Sequence, residues 1–452
     1  MNETLSAALN LSGARPQLRD PQVVRQQIEP LVRLAVFGNA EEQALARYAI
    51  HTAAPQLGAV SSSIAGLYSA RGHGTVSGFT VPAVNVRGMA YDMARALFRA
   101  MKATAATATV FELARSEMGY TFQEPAEIAA VVLAAAIAED YKGPVFIQGD
   151  HFQANAKKFA TDPEGESRAL EDLIRKAVAA QFYCIDIDAS TLVDLSFAKV
   201  PDQQAPNARL TARLAKLVRQ LQPDGVTISV GGEIGEVGKN NSTVEELTSY
   251  VDGFRDIVGG EMEGLSKVSV QTGTSHGGIP LPDGTIASVA IDFDTLKELS
   301  RVSRERYGMA GAVQHGASTL PDELFHRFPA VETAEIHLAT GFQNIMLDHP
   351  AFPKDLLAEM HAYADRDLAD ERKEGETDIQ FFYKTRKKVW GPFKRQTWDL
   401  PAEFRAALAN ELQAKFEFLI RQLKANDTRE ITLRHVIQKP VEVEPPAISV
   451  RA

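Results

Sequence analysis

The stretch that decides the fold reads GPVFIQGD (143–150), SRALEDLIRKAVAAQ (167–181) and FYCIDIDAS (182–190). It is a short apolar run, an amphipathic segment compatible with a helix, and a second apolar, β-branched run. Two strands joined by a connection of that length are parallel neighbours. The same unit recurs on both sides. Upstream lie VSGFTVPAVNV (76–86) and ATATVFELA (106–114), with YDMARALFRAMKAT supplying the helix between them. Downstream follow VTISVGGEIG (226–235), KVSVQTGTS (267–275), MAGAVQHGAS (309–318) and AEIHLATGF (334–342). Eight strand-helix repeats over about 270 residues predict an α/β protein built as a (β/α)8 TIM barrel. An open doubly wound sheet is the alternative arrangement.

Working outward, residues 1–75 predict a helical lead-in, because QQIEPLVRLAVFGNAEEQALARYAIHTAA (26–54) spaces its apolar residues by three and four. The barrel is expected over 76–350. Residues 351–452 read as a helical region, with PAEFRAALANELQAKFEFLIRQLKA (401–425) followed by a proline-containing tail that is either irregular or a partner-docking arm.

The whole chain has 452 residues, 45% hydrophobic and 23% charged, enough for one large domain with additions. Its 48 basic and 58 acidic residues give a net charge of -10, which argues against nucleic acid and gives no reason to expect an anionic membrane surface. A single cysteine, Cys184, excludes an internal disulfide and a thiolate-rich zinc site, so any metal is held by imidazole and carboxylate. The opening MNETLSAALNLSGARPQLRD has no basic region followed by an apolar block, and a soluble cytoplasmic protein is expected.

Polar residues gather where the barrel topology would bring them together. Asn85, Asp150, His151, Asp188, Glu233, His276, His315 and Thr340 all fall at or just past the carboxyl ends of the expected strands. Three of them are histidines beside small residues, and three imidazoles with an open fourth position form an established catalytic zinc arrangement. The other seven histidines, His73, His326, His349 and His361 among them, read as surface or packing residues. GGEIGEVG (231–238) is not a dinucleotide fingerprint, since its glycine spacing and its place in the fifth unit are wrong for one.

The ordered set PAVNV, GDH, IDAS, GEIG, GTSHGG, QHGAS and a final strand ending in Ala-Thr resembles the class II, metal-dependent fructose-bisphosphate and tagatose-bisphosphate aldolases over about residues 76 to 345. The resemblance implies zinc held by His151, His276 and His315, and reversible aldol cleavage of a phosphorylated ketose. It makes Asp150 the general base, the other possibility being that Asp150 only orients a histidine. Asp188 and Glu233 become alternative metal ligands or field-setting groups, although Asp188 is almost as well read as a cap on the following turn. Asn85, Gly277, Gly316, Ser318 and Thr340 match substrate and phosphate contacts. In FFYKTRKKVW (381–390), Arg386 matches a distal phosphate-binding arginine, with a solvated basic helix face as the alternative.

Two departures stand out. Where the family usually has Asn-x-Asp-Thr, this chain has His337, Leu338, Ala339 and Thr340, so a substrate-gripping carboxylate is missing. Where it has an acidic pair that returns a proton, this chain has Lys239, Asn240 and Asn241, which leaves Glu236 as a substitute. Competing expectations are therefore an aldolase for another phosphorylated or acidic sugar, a metal-dependent epimerase or isomerase, and a metal-binding barrel acting as a non-catalytic partner subunit. Retention of three histidines and Asp150 counts against the last. A homo-oligomer is expected.

Overall fold

The structure, a computed structural model, describes residues 2–12, 15–235, 240–273, 280–282 and 290–447. Eight parallel strands close on themselves: β1 (Val81–Asn85), β2 (Val110–Ala114), β3 (Gly143–Gln153), β4 (Cys184–Asp188), β5 (Ser229–Glu233), β6 (Lys267–Val270), β7 (Ala312–Gln314) and β8 (Glu335–Leu338). Neighbours in the chain pair in order, and closure comes from β8 against β1, with Glu335 opposite Val81. This is the expected (β/α)8 barrel, and seven of the strands fall inside the runs read from the sequence, while β3 runs three residues past 150 to Gln153. Every residue of β1, β2, β4 and β5 is buried. Strands covered on both faces carry no hydrophilic side turned to water, which is why they read as apolar runs.

Local signals set the helices between them. Pro163 occupies the first turn of Pro163–Ala179 while Asp162 accepts from the Gly165 amide. Thr243 and Glu246 form a reciprocal capping box at the start of Val244–Val258. Gly308, at φ 70°, ends Phe293–Tyr307 in the left-handed conformation that glycine adopts without strain.

Both ends of the chain add helices to the outside of the barrel. Ile28–Phe37 and Ala40–Gln56 lie on Pro125–Ala138, a helix apolar around most of its circumference because it is covered on both sides. The C-terminal helix Ala402–Gln422 packs on Ala90–Ala103. The N-terminal part is not purely helical. It contains the antiparallel pair Leu9–Asn10 and Gln17–Leu18, and the strand Ala59–Ser61, which pairs with the start of β3 outside the barrel ring. These strands are too short to leave a periodic pattern. Past Arg429–His435 the tail forms no regular element through residue 447, and the Gln181 amide donates to the Val441 carbonyl at 2.9 Å. Among the described residues no single helix is long and apolar enough to cross a membrane.

Candidate functional site

Adjacent side chains on a regular strand face opposite sides. Asp150 and His151 escape this rule because β3 is irregular there. Its pairing with β4 shifts register between Gly149 and Phe152, and His151 takes φ 40°. The extra residue turns both side chains into one site. Gly149 is required at the bend, since a Cβ there would stand 2.4 Å from the Phe152 ring.

His151 Nδ1 lies 3.2 Å from Asp188 Oδ2 and 3.1 Å from Glu233 Oε2. His315, just past β7, places Nε2 3.4 Å from Asp150 Oδ1 and stacks on His151 with ring centres 4.1 Å apart. Asp188 divides its two oxygens between a turn and an imidazole. Its Oδ1 accepts from the Ser190 amide and hydroxyl at 3.0 and 2.7 Å, capping the turn Ser190–Leu192, while Oδ2 faces His151. Burial opposes a charge on His151, but Asp150 and Glu233 outweigh it and hold the imidazole well above its ordinary pKa. His315 goes the other way: burial, then the charges of His151 and His337, keep it neutral with a lone pair to give. Burial also opposes ionisation of Asp150, and His151 and His337 overcome it, so the carboxyl sits well below its usual range.

Among the described residues, the group that sequence reasoning missed is His337. It is 4% exposed, with Nδ1 2.8 Å from Glu112 and 3.2 Å from Asp150, and its ring centre is 4.1 Å from that of His315. Its Nε2 lies 2.8 Å from Glu335. Beneath it the barrel interior is polar. Lys267 reaches Asp186 at 2.9 Å and Gln148 at 2.7 Å and also pairs with Glu335, which accepts from the Tyr68 hydroxyl. Burial pushes the Glu112 carboxyl up to about 7 against the pull of His337, and pushes Asp186 up to about 6 against Lys267. The signal was available in the alternation: Glu335 and His337, like Asp186 and Asp188, are two apart on strands and share the inward side.

Above these groups opens a cavity of about 950 Å³, lined by Asn85, Asp150, His151, His315, Gly316, Ser318, His337, Ala339 and Thr340. Asn85 donates to Glu117, and Thr340 Oγ1 accepts from Arg87 at 3.1 Å. Ser318 Oγ accepts from the Gly341 amide at 3.1 Å. Arg386 is not among the lining residues. Its guanidinium is held by Asp348 at 2.9 Å and by Asn344, over the Tyr383 ring, and it is Lys387 and Lys384 of that segment that line the cavity. Glu236, His276 and Gly277 lie outside the described residues.

The donors suit a divalent metal ion. Asp150, His151 and His315 bring ligand atoms within 4.8 Å of one another, and so do His151, Asp188 and Glu233. Imidazole nitrogen with carboxylate oxygen is a donor set for zinc and its first-row neighbours.

Comparison with known proteins agrees with the fold. The family model for fructose-bisphosphate aldolase class-II matches residues 72–392. No curated protein sequence matches the chain. Among solved structures, the fructuronate-tagaturonate epimerase UxaE from Cohnella laeviribosi is similar in fold at 11% identity, TM-score 0.53, over 96% of this chain and 96% of that one. Fructose-bisphosphate aldolase from Campylobacter jejuni is 16% identical over 82% of this chain and 97% of its own, with TM-score 0.48. The YdjI aldolase from Escherichia coli K12 is 12% identical over 80% and 98%, with TM-score 0.47. With the barrel, the strand-end histidines and the family match in agreement, the chain belongs to the class II fructose-bisphosphate aldolase family.

Proposed function

We propose that the chain catalyses reversible aldol cleavage of a phosphorylated ketose, with fructose 1,6-bisphosphate as the first candidate, giving dihydroxyacetone phosphate and glyceraldehyde 3-phosphate. The observation that carries this reading is the convergence of Asp150, His151 and His315 at the base of the cavity in a chain of this family. Zinc is the first choice of metal, held by His151 and His315 with Glu233 or Asp188 at hand. His276 joins the set through the sequence resemblance alone. When bound, the ion polarises the ketose carbonyl and offsets the negative charge that develops as the carbon-carbon bond breaks.

The chain's own residues do the rest. Asp150, kept ionised by its histidine neighbours, takes the proton from the hydroxyl of the departing aldehyde. Gly316, Ser318 and Thr340, with Gly277 by resemblance, supply amides and hydroxyls to the anionic end of the substrate. Arg87 beside Thr340 adds a guanidinium to that end. Asn85 orients the sugar from the end of β1. Return of a proton to the three-carbon product falls to Glu236. The expected setting is a cytoplasmic homo-oligomer.

A second reading, epimerisation of an acidic sugar without bond cleavage, is favoured by the pair His337 and Ala339. The cavity lacks a carboxylate at 339 and has an imidazole beside Asp150, so two proton-handling groups border one substrate position. Incubation with a panel of ketose phosphates and ketouronates separates the two. The aldolase releases triose phosphate and stops on chelation, while the epimerase gives a product of unchanged mass. Failure to release triose phosphate from any ketose phosphate would defeat the first reading.

A further inference from the structure

The cavity floor holds a second convergence of donors. His337 Nδ1 stands 2.8 Å from Glu112 Oε2 and 3.2 Å from Asp150 Oδ1. These residues are 4%, 1% and 5% exposed, and their ligand atoms lie within 4.8 Å of one another. Despite those separations, neither ring nitrogen of His337 makes a directed hydrogen bond. An imidazole N–H serves one acceptor along its own bond, and here two carboxylate oxygens flank the nitrogen off that line. Such crowding matches ligands on one ion: at metal-ligand lengths of about 2.1 Å, adjacent octahedral ligands stand about 3.0 Å apart. Charge points the same way. On the Nε2 side Lys267 already serves Asp186 and Glu335. Among the described residues no lysine or arginine pairs with Glu112 or Asp150: Glu112 has His337 and the Gln148 amide at 3.3 Å, and Asp150 has imidazoles alone.

We propose that Glu112, Asp150 and His337 form a second divalent-cation site at the floor of the cavity, separate from the donors His151 and His315. Two carboxylates and one imidazole make a harder set than a cluster of histidines, so the site accepts Mn²⁺, which serves as the probe ion. The proposal rests on the metal reading above only in sharing Asp150, whose ligation through Oδ1 needs one of its two oxygens.

The test counts metal and does not depend on turnover. The chain, loaded with one equivalent of zinc, is titrated with Mn²⁺ while free Mn²⁺ is followed by its electron paramagnetic resonance signal. One further equivalent should bind per chain. Glu112→Gln and His337→Asn should each weaken that binding on the order of 10–100-fold or more, with zinc content unchanged. The two substitutions lie on different strands, so a folding failure in one leaves the other to report. Zinc retained with no uptake of Mn²⁺ overturns this site and leaves the aldolase reading standing. Uptake that neither substitution alters places the ion elsewhere and also overturns it. A chain that binds neither metal defeats both readings.

Discussion

Phe98 and Lys267 are equally hidden from water, at 0% and 1% exposed, yet they stand on opposite sides of the same barrel wall. Phe98 belongs to the outer shell, where its ring lies 4.7 Å from Phe111 and 4.8 Å from Tyr141. Lys267 belongs to the interior, where it joins Asp186, Glu335 and Gln148. The shell gains from every methylene it removes from water and tolerates adjustment. The interior balances charges that are each costly alone, so its members depend on one another. A barrel interior filled by branched apolar side chains would be the usual solution. This one packs Val110, Phe146 and Cys184 together at one level of its interior and holds a charged column between them and the candidate site.

The largest effect should come from breaking that column. Lys267→Met leaves Asp186 and Glu335 with only the His337 imidazole for a cationic partner and should cost about 5 kcal/mol, or the fold itself, in urea unfolding. Adding Asp186→Asn and Glu335→Gln should recover much of the loss. If it does not, the lysine contributes by packing and the contrast with the shell disappears. Phe98→Ala, on the other side of the wall, should cost about 4 kcal/mol through lost transfer energy and a cavity, with no recovery from charge removal anywhere.

Asp150→Asn moves from stability to chemistry. Turnover should fall on the order of 100-fold or more with zinc content preserved. Zinc lost in proportion to activity would make Asp150 a support for the metal donors instead. Next comes His51, buried outside the barrel with Nδ1 3.3 Å from Gln181 Oε1, whose pKa burial lowers to about 4. Its folded pKa lies below the unfolded one, so its contribution is complete above about 6.5 and is lost as pH falls toward 4. Between pH 7 and 5 the difference should be about 2 kcal/mol. His51→Gln should flatten the pH dependence of thermal unfolding across that interval, and an unchanged slope would assign it to other groups. Smallest is Ala339→Asp, which should shift the ratio of kcat/KM between aldehyde substrates by about 1.5 kcal/mol, near tenfold. A fixed ratio would mean that His337 already selects.

What could be read in the sequence follows the same division. The strands were legible because burial on both faces concentrates apolar residues into runs, and the strand-end histidines were legible because topology alone collects them. His337 was not, since it sits within a strand and its neighbours Leu338 and Ala339 look like ordinary wall. Only the pairing of Glu335 with His337 on the inward side marks the column. Arg386 shows a second limit. Its segment passes from the helix Asp378–Thr385 into a tighter turn at Arg386–Val389, and a change of helical pitch redirects the side chains that follow, so Lys387 joins Lys384 at the cavity while Arg386 turns to Asp348. Adjacent Asp150 and His151 could be matched to a motif, but that both face one site depends on the bulge, which spacing does not encode.

Closure of the barrel by β8 against β1 has a consequence for synthesis. The first strand leaves the ribosome about 250 residues ahead of the partner that seals it, a wait of roughly 13 to 50 s at bacterial and eukaryotic elongation rates. During that interval β2 covers one edge of β1 while the other, from Val81 to Val84, has no partner. An open parallel edge of apolar residues invites pairing with other chains. The nascent chain is therefore most exposed to aggregation, and most in need of a chaperone, over the stretch of translation that ends when Glu335–Leu338 emerges.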